Sequence, residues 1–244
     1  MEKLCQWVDG QGVAERFLCG SPPEEGIDGW ERVRTESGFG AAANGGAERA
    51  TASHILFLND DLEHRAGTIE EWVGALERRA WAFAVVGSVS GKEGEEAGTS
   101  LVRRRGRPWP AQVSRSPPGM VSYPVGSAFL VKRERWEALG GFDPAFLPAY
   151  WEDADLGLRA WGRGWGVWQT ESVSFLHQGG TTTGRWPPHL LQGRFLRGQR
   201  IVAARHRELL GLPSGWWLWE GASQAGDLLR GRWRRLAVRW GLAR

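Results

Sequence analysis

The chain has 244 residues, 41% of them hydrophobic, which is enough for one sizeable core, and its formal net charge is only +3. Its two cysteines, Cys5 and Cys19, and its lack of a long apolar run exclude a disulfide-rich secreted module and a polytopic membrane protein. The small charge gives no reason to expect a nucleic-acid partner, and residues 1–20 lack a secretory signal pattern, so the expected location is the cytoplasm.

Apolar periodicity and the positions of glycine and proline divide the chain into short strands and helices. In chain order, the predictions are a strand at 6–8, a strand at 31–34, a glycine turn and helix at 38–52, a strand at 54–58, a helix at 68–79, a strand at 82–89, a loop or weak hairpin at 90–120, a strand at 125–131, helices at 133–139 and 155–162, two short strands within 166–177, and helix from Pro188 onward. Strands that alternate with helices favour an α/β layered fold over a sandwich or a bundle.

Polar residues follow the apolar strand 54–58 without a turn glycine. Asn59, Asp60 and Asp61 come directly after it, and the carboxyl ends of strands are where open α/β sheets bind ligands. Two adjacent carboxylates repel each other unless a cation neutralises them, and their oxygens suit Mg²⁺ or Mn²⁺ together with phosphate oxygens. The alternative is a solvated turn in which the aspartates only cap the chain.

A second acidic cluster stands at residues 150–155, with the sequence YWEDAD. The aromatic pair Tyr150 and Trp151 would desolvate a neighbouring carboxylate and make it a better base. The alternative is N-terminal capping, since carboxylates in the first turn of a helix are favoured by the helix dipole. For Asp155 this alternative predicts that its replacement by Asn costs about 1 kcal/mol or less of stability.

A histidine closes the last predicted strand. His177 follows an apolar run, as Asp61 does, although a lone histidine is more often structural than a ligand. His177 thus shares a strand-end placement with Asp61.

Four segments, in this order, resemble the family 2 glycosyltransferases of the GT-A fold, and most closely their rhamnosyltransferase-like branch. The segments are GFGAAANGGAERA, ILFLNDDLE, VGSAFLVKRERWEALGGFDPAFLPAYWEDADLGLRAWGRGWGVW and SVSFLHQGG, which lie within residues 36–180. The resemblance implies an α/β, Rossmann-like nucleotide-diphospho-sugar transferase fold with a mixed central sheet.

The resemblance also implies the site residues. Asp61, with Asn59 and His177, would hold a divalent metal, Mn²⁺ or Mg²⁺, on the diphosphate of the donor. Asp153 would be the general base, with Glu152 beside it. The implied donor-binding residues are Asp9, Gly38, Asn44, Asp60 and Gly126. The implied acceptor-binding residues are Trp151, Gly141, Phe142 and Asp143.

The function expected from this resemblance is inverting transfer of a sugar from a nucleotide-sugar donor to a hydroxyl of a glycan or lipid-linked acceptor. Residues 1–185 would form the transferase domain, and residues 186–244 a basic, Trp-rich helical extension with a possible peripheral contact to the inner face of the membrane. The family's first strand and helix have no counterpart before residues 6–9. This gap predicts an N-terminally truncated domain and leaves open a catalytically impaired binding protein. A nucleotidyltransferase is the weaker third alternative, because it gives no role to the WED and GGFD segments.

Overall fold

The computed structural model describes residues 1–22, 24–35, 38–91, 94–95, 100–104, 107–111, 119–178, 186–212 and 229–230. Within these ranges the helices are α1 Glu2–Asp9, α2 Phe39–Ala47, α3 Ile69–Glu77, α4 Arg133–Leu139, α5 Glu152–Trp161 and α6 Pro188–Arg205. The strands are β1 Phe17–Gly20, β2 Glu31–Arg34, β3 His54–Leu58, β4 Leu62–Ala66, β5 Ala82–Gly91, β6 Gly94–Glu95, β7 Ser100–Arg104, β8 Arg107–Ala111, β9 Gly119–Val121, β10 Ala128–Lys132 and β11 Gly166–His177.

The central sheet is mixed and has the strand order β3-β10-β5-β11-β4, with β6 and β9 attached to β5 and β11. Strand β10 is antiparallel to both β3 and β5, and β11 is parallel to β5. Therefore β3, β5 and β11 run in the same direction, and their carboxyl ends meet at one edge of the sheet. The segment that leads into β10 arrives at this same edge. The predicted α/β fold with a mixed central sheet is confirmed.

Two smaller sheets lie beside the central one. Strands β1 and β2 pair in parallel with each other, and β7 and β8 form an antiparallel hairpin. Strand β3 ends the central sheet, so its outer edge has no strand partner among the described residues.

The core covers both faces of the sheet. On one face Phe57, Phe129 and Phe142 pack with Trp136 of α4. On the other, helices α1 and α3 pack against the sheet, and the fully buried Trp72 of α3 donates a hydrogen bond from Nε1 to the carbonyl of Val85, 3.0 Å away. Strand β5 is buried on both faces, which explains its continuous apolar sequence.

Several predicted elements are confirmed, notably the strand at 54–58 and the helix opened by the Thr68–Glu71 capping box. The predicted strand at 6–8 is wrong: these residues belong to α1, because Leu4, Cys5 and Val8 have the spacing of one buried helical face. Strand β4 was not predicted. The two short strands expected within 166–177 are a single strand of 12 residues with an irregular register between Gln169 and Ser174.

The C-terminal prediction is only partly covered. Helix α6 confirms that helix follows Pro188, but Trp216, Trp217, Trp219 and Trp233 lie outside the described residues. None of the helices in the described ranges has the length and hydrophobicity that a bilayer-spanning helix requires.

Candidate active site

The segment after β3 and the end of β11 bring Asp61 and His177 together, as the family resemblance implied. Asp61 Oδ1 lies 2.9 Å from His177 Nε2, and the two side chains are 9% and 16% exposed. The backbone N–H of Gln178 donates to the carbonyl of Asp61 at 3.0 Å, which ties the loop after β3 to the end of β11. A carboxylate and an imidazole are therefore held side by side at the edge where ligands of α/β sheets bind.

The other two residues of this loop are placed differently. Asn59 is half-buried, and its backbone N–H donates to the carbonyl of Ser127 at 2.9 Å, whereas Asp60 is exposed. The hydroxyl of Ser127 is buried and has no hydrogen-bond partner among the described residues, so a polar group at this edge remains available to a ligand.

Asp61 and His177 are the side chains at this edge that could hold a divalent metal. The described residues contain no cluster of three or more His, Cys, Asp or Glu side chains able to hold an ion. The pair Asp61 and His177 is nevertheless sufficient for an ion held mainly by phosphate oxygens, since Mg²⁺ and similar ions use one or two protein carboxylates plus the phosphates of the substrate. The donor set therefore fits a metal that arrives with a diphosphate.

The second acidic cluster opens helix α5. Asp153 accepts hydrogen bonds from the backbone N–H of Ala154, at 2.7 Å, and of Gly126. Glu152 accepts one from the backbone N–H of Tyr150, while its Oε2 is buried without a hydrogen-bond partner. Burial raises the pKa of both carboxyls, and the charge of Asp153 raises the pKa of Glu152 further. Such a pair is typical of acid-base sites, because one of its members has a pKa near working pH.

The dipeptide Gly126-Ser127 joins the two acidic clusters. The carbonyl of Ser127 accepts from the N–H of Asn59 on the β3 side, and the N–H of Gly126 donates to Asp153 on the α5 side. The pair of Asp61 and His177 and the pair of Glu152 and Asp153 thus lie on either side of this one short segment.

The turn before α5 has an unusual backbone. Tyr150 and Trp151 have φ values of 79° and 77°, the left-handed region that non-glycine residues rarely adopt. The ring of Trp151 is 4% exposed and packs against Phe195 of α6, with ring centroids 5.2 Å apart. The ring of Trp151 therefore belongs to the core and holds the turn, and its implied acceptor-binding role stays a prediction.

Two of the implied donor residues have structural roles. A Cβ at Gly38, whose φ is 90°, would lie 2.0 Å from the carbonyl oxygen of Pro148, so the turn before α2 requires glycine. Both polar atoms of the Asn44 side chain bind the backbone of Phe142, at 2.8 and 2.9 Å. The side chain of Asn44 thus joins α2 to the GGFD loop and is not available to the donor.

The implied donor-binding role of Asp9 stays a prediction. This residue lies at the end of α1 rather than at a strand end, and its Oδ1 is 3.0 Å from Arg16 Nε and 3.1 Å from Trp30 Nε1. Its carboxylate is already paired, and nothing in its position supports contact with a nucleobase.

The GGFD loop forms a structural corner, and its implied acceptor-binding role stays a prediction. Phe142 is 1% exposed and belongs to the core, and Gly141 adopts a left-handed conformation with φ of 65°. Asp143 caps the turn at 144–146 by accepting from the N–H of Ala145 at 2.7 Å, and it pairs with Arg205. Asp143 is half-exposed and makes these two contacts, whereas the side chain of Phe142 is packed in the core.

Asp155 is the residue whose role the sequence most underestimated. It is fully buried, with Oδ2 2.7 Å from Arg159 Nε and Oδ1 2.8 Å from His206 Nε2. Burial alone would raise the pKa of Asp155, but the hydrogen bond from His206 and the charge of Arg159 outweigh it, so the pKa is lowered. Asp155 joins α5 to the end of α6, 51 residues away, which no local pattern reveals.

We expect Asp155→Ala to cost about 3 to 5 kcal/mol of the free energy of unfolding, because it leaves Arg159 and His206 without the buried carboxylate that both contact. Urea denaturation monitored by circular dichroism measures this loss. Glu134→Gln is the matched control, since Glu134 is an exposed carboxylate in the first turn of α4, and it should cost less than about 1 kcal/mol. If both variants lost the same small amount of unfolding free energy, Asp155 would act only as an N-terminal cap of α5.

Comparison with known proteins agrees with this geometry. Residues 29–139 match the profile of glycosyl transferase family 2. The match covers 111 of the 244 residues, so this segment of the chain is similar to glycosyl transferase family 2. No curated protein is similar enough in sequence to count as a relative of this chain.

Solved structures were also found to be similar to this chain. The crystal structure of GalNAc-T7 with UDP, GalNAc and Mn²⁺ superposes with a TM-score of 0.54 at 14% identity, over 72% of this chain and 36% of that one. Mannosyltransferase PcManGT from Pyrobaculum calidifontis, in complex with GDP-Man and Mn²⁺, gives 0.47 at 15% identity, over 83% and 59%. A197 from STIV gives 0.45 at 18% identity, over 66% and 82%. The chain thus spans about a third of the GalNAc-T7 chain, and the GalNAc-T7 likeness identifies the fold as GT-A.

Proposed function

We propose that this protein is an inverting glycosyltransferase that moves a sugar from a nucleotide-sugar donor to an acceptor hydroxyl. The observation that carries the proposal is the placement of two different acidic sites on either side of Gly126-Ser127. One site has a carboxylate beside an imidazole, and the other has a carboxyl pair with raised pKa values. Direct transfer with inversion requires these two functions and no protein nucleophile.

Asp153 is the proposed general base. Its hydrogen bonds from the N–H groups of Gly126 and Ala154 fix the orientation of the carboxylate, and burial raises its pKa toward working pH. The charge of Asp153 raises the pKa of Glu152 further. Glu152 therefore holds a proton more strongly, and Asp153 carries the negative charge of the pair.

Asp61 and His177, with Asn59 next to them, are the proposed holders of a divalent metal, Mn²⁺ or Mg²⁺. When bound, the ion would neutralise charge that develops on the departing nucleoside diphosphate. The likeness of fold to GalNAc-T7, whose structure holds UDP and Mn²⁺, supports a nucleotide donor with a metal. Among the implied donor residues, the exposed Asp60 precedes Asp61 directly in the chain, and Gly126 precedes Ser127, whose carbonyl accepts from the N–H of Asn59.

The acceptor proposed from the family resemblance is a glycan or lipid-linked saccharide, as in the rhamnosyltransferase-like branch. We place the activity in the cytoplasm because both cysteines are free in a chain without a disulfide framework. The arginines and tryptophans of residues 186–244 support a peripheral membrane contact. The boundary at residue 185 stays a prediction, although Val202 of α6 is fully buried in a cluster with Trp151 and Leu158.

One observation favours the alternative of a catalytically impaired binding protein. The ribbon β1-β2 is separate from the central sheet, and β3 has an unpaired outer edge among the described residues, close to the donor side of the site. Calorimetric titration of UDP, dTDP and GDP in the presence of Mn²⁺ tests the proposal. Binding of one nucleotide that requires the metal supports a transferase, and no binding of any of the three supports the alternative.

The pH dependence of transfer should report the carboxyl pair. Only ionised Asp153 accepts a proton, so activity should fall as pH drops through a pKa that lies above the ordinary value of an aspartate. Profiles of kcat/KM against pH measure this acidic limb. Glu152→Gln should keep the limb in its raised position, because burial is the main cause of the shift at Asp153. A limb at the ordinary aspartate pKa would contradict the assignment.

A further inference from the structure

The arginines of helix α6 fall into two groups. Near its C-terminal end, Arg205 pairs with Asp143 and lies 3.7 Å from Asp155. Arg194 and Arg197, in the middle of the helix, form no salt bridge with any described residue. Because three residues of a helix span about 300°, Arg194 and Arg197 lie on the same side of α6.

This side of α6 borders the turn that precedes the proposed base. A Cβ at Gly198 would lie 2.7 Å from both the Trp151 ring and the carbonyl oxygen of Tyr150, so the helix touches the turn directly. Arg194 is one helical turn before Gly198 and interacts electrostatically with Tyr150. Arg197 Nη1 lies 3.5 Å from the carbonyl oxygen of Leu147, just upstream of the same turn.

The two guanidinium groups are held in place without being neutralised. Arg194 lies over the ring of Trp186, 3.9 Å from its centroid, and this stacking leaves its N–H donors without a hydrogen-bond acceptor among the described residues. Both side chains are half-buried, and burial together with repulsion from Arg197 lowers the pKa of Arg200 on the same helix. Partly desolvated cations that repel one another are stabilised when an anion binds between them.

We propose that Arg194 and Arg197 form an anion subsite for the acceptor, so that the acceptor carries a phosphate or carboxylate group near the hydroxyl that receives the sugar. The inference rests on the proposed function, because it takes the Tyr150–Asp153 segment to be where the acceptor hydroxyl reacts. Guanidinium groups bind both anions in bidentate fashion, and the subsite selects charged acceptors over neutral saccharides of the same size.

Binding measured without donor or metal tests the subsite separately from transfer. Wild type is titrated by calorimetry in EDTA with glucose 1-phosphate, methyl glucuronide and methyl glucoside. We expect at least one of the two charged sugars to bind about tenfold or more tightly than methyl glucoside, with a dissociation constant that rises with salt. The phosphate and carboxylate arms show which anion the subsite prefers.

The double variant Arg194→Gln/Arg197→Gln should lose this preference, whereas the control Arg78→Gln, at an exposed arginine of the α3 end, should keep it. Arg194→Lys/Arg197→Lys should retain part of it, because charge remains while the bidentate geometry is lost. Equal binding of charged and neutral sugars by wild type, or an undiminished preference in the folded Gln variant, would overturn the subsite.

The same variants separate this inference from the proposed function. UDP binding with Mn²⁺ should be unchanged in Arg194→Gln/Arg197→Gln, because the pair at Asp61 and His177 is intact. Loss of UDP binding in that variant would assign the arginines to the donor and overturn the acceptor subsite. Absence of binding of UDP, dTDP and GDP to wild type, with the charged-sugar preference retained, would refute the transferase and not the anion site.

Discussion

Replacing Asp153 by Asn is expected to lower the turnover of sugar transfer by about two to four orders of magnitude, the usual contribution of a general base. Asparagine keeps the shape of the side chain and can still accept from the N–H groups of Gly126 and Ala154, but it cannot take the proton of the acceptor hydroxyl. Donor affinity should barely change. Transfer rate, UDP binding and Tm of the purified variant measure the three quantities separately.

The control for this experiment is Asp28→Asn, which makes the same chemical change at an exposed aspartate outside the site. It should transfer sugar at the wild-type rate. Near-normal transfer by Asp153→Asn would show that Asp153 is not the base. Parallel losses of transfer and donor binding would instead assign the WED cluster a structural role.

Asp61→Ala is expected to weaken Mn²⁺-dependent nucleotide binding by about 100-fold or more. Loss of a residue that only supports a metal ligand already costs about 10- to 100-fold, and Asp61 is a proposed ligand itself. The fold should persist, because Asp61 lies in a loop at the sheet edge and contributes no core volume. Calorimetry with UDP, in Mn²⁺ and in EDTA, isolates the metal-dependent part of the affinity.

Two variants bracket that result. His177→Ala should weaken binding less, since a carboxylate carries the charge that attracts the ion and the imidazole does not. Glu63→Ala removes a carboxylate two residues from Asp61 that pairs with Arg65, and it should leave binding unchanged. Wild-type metal and nucleotide affinity in Asp61→Ala would falsify the metal assignment.

Sequence periodicity predicted the parts of the fold in which one residue pattern decides the outcome. Strand β5 is apolar on both faces and α3 starts with a capping box, so each was visible locally. The family resemblance also implied the pairing of Asp61 with His177, whose side chains lie 2.9 Å apart. The predicted strand at 6–8 was wrong because a short apolar run fits the period of a strand as well as that of a helix. The packing of Leu4 and Val8 on one face makes this segment helical.

The remaining features depend on contacts between residues far apart in the chain. The sequence gives no sign that both polar atoms of the Asn44 side chain form hydrogen bonds with the backbone of Phe142, 98 residues away. Asp155 looked like a helix cap until His206 was found beside it. Its two neighbours of the same cluster, Glu152 and Asp153, are half-buried and have raised pKa values, so three carboxylates within four residues have different environments that a one-dimensional pattern cannot distinguish.

The left-handed turn at Tyr150 and Trp151 sets stability against activity in this protein. Each non-glycine residue in this conformation costs roughly 1 kcal/mol or more, and glycine would avoid that cost. Glycine would also remove the rings that anchor the turn to Phe195 of α6 and thereby hold Glu152 and Asp153 in position. The same side chains thus carry both the conformational cost of the turn and the packing that fixes the carboxyl pair, so a glycine that relieves the first also removes the second.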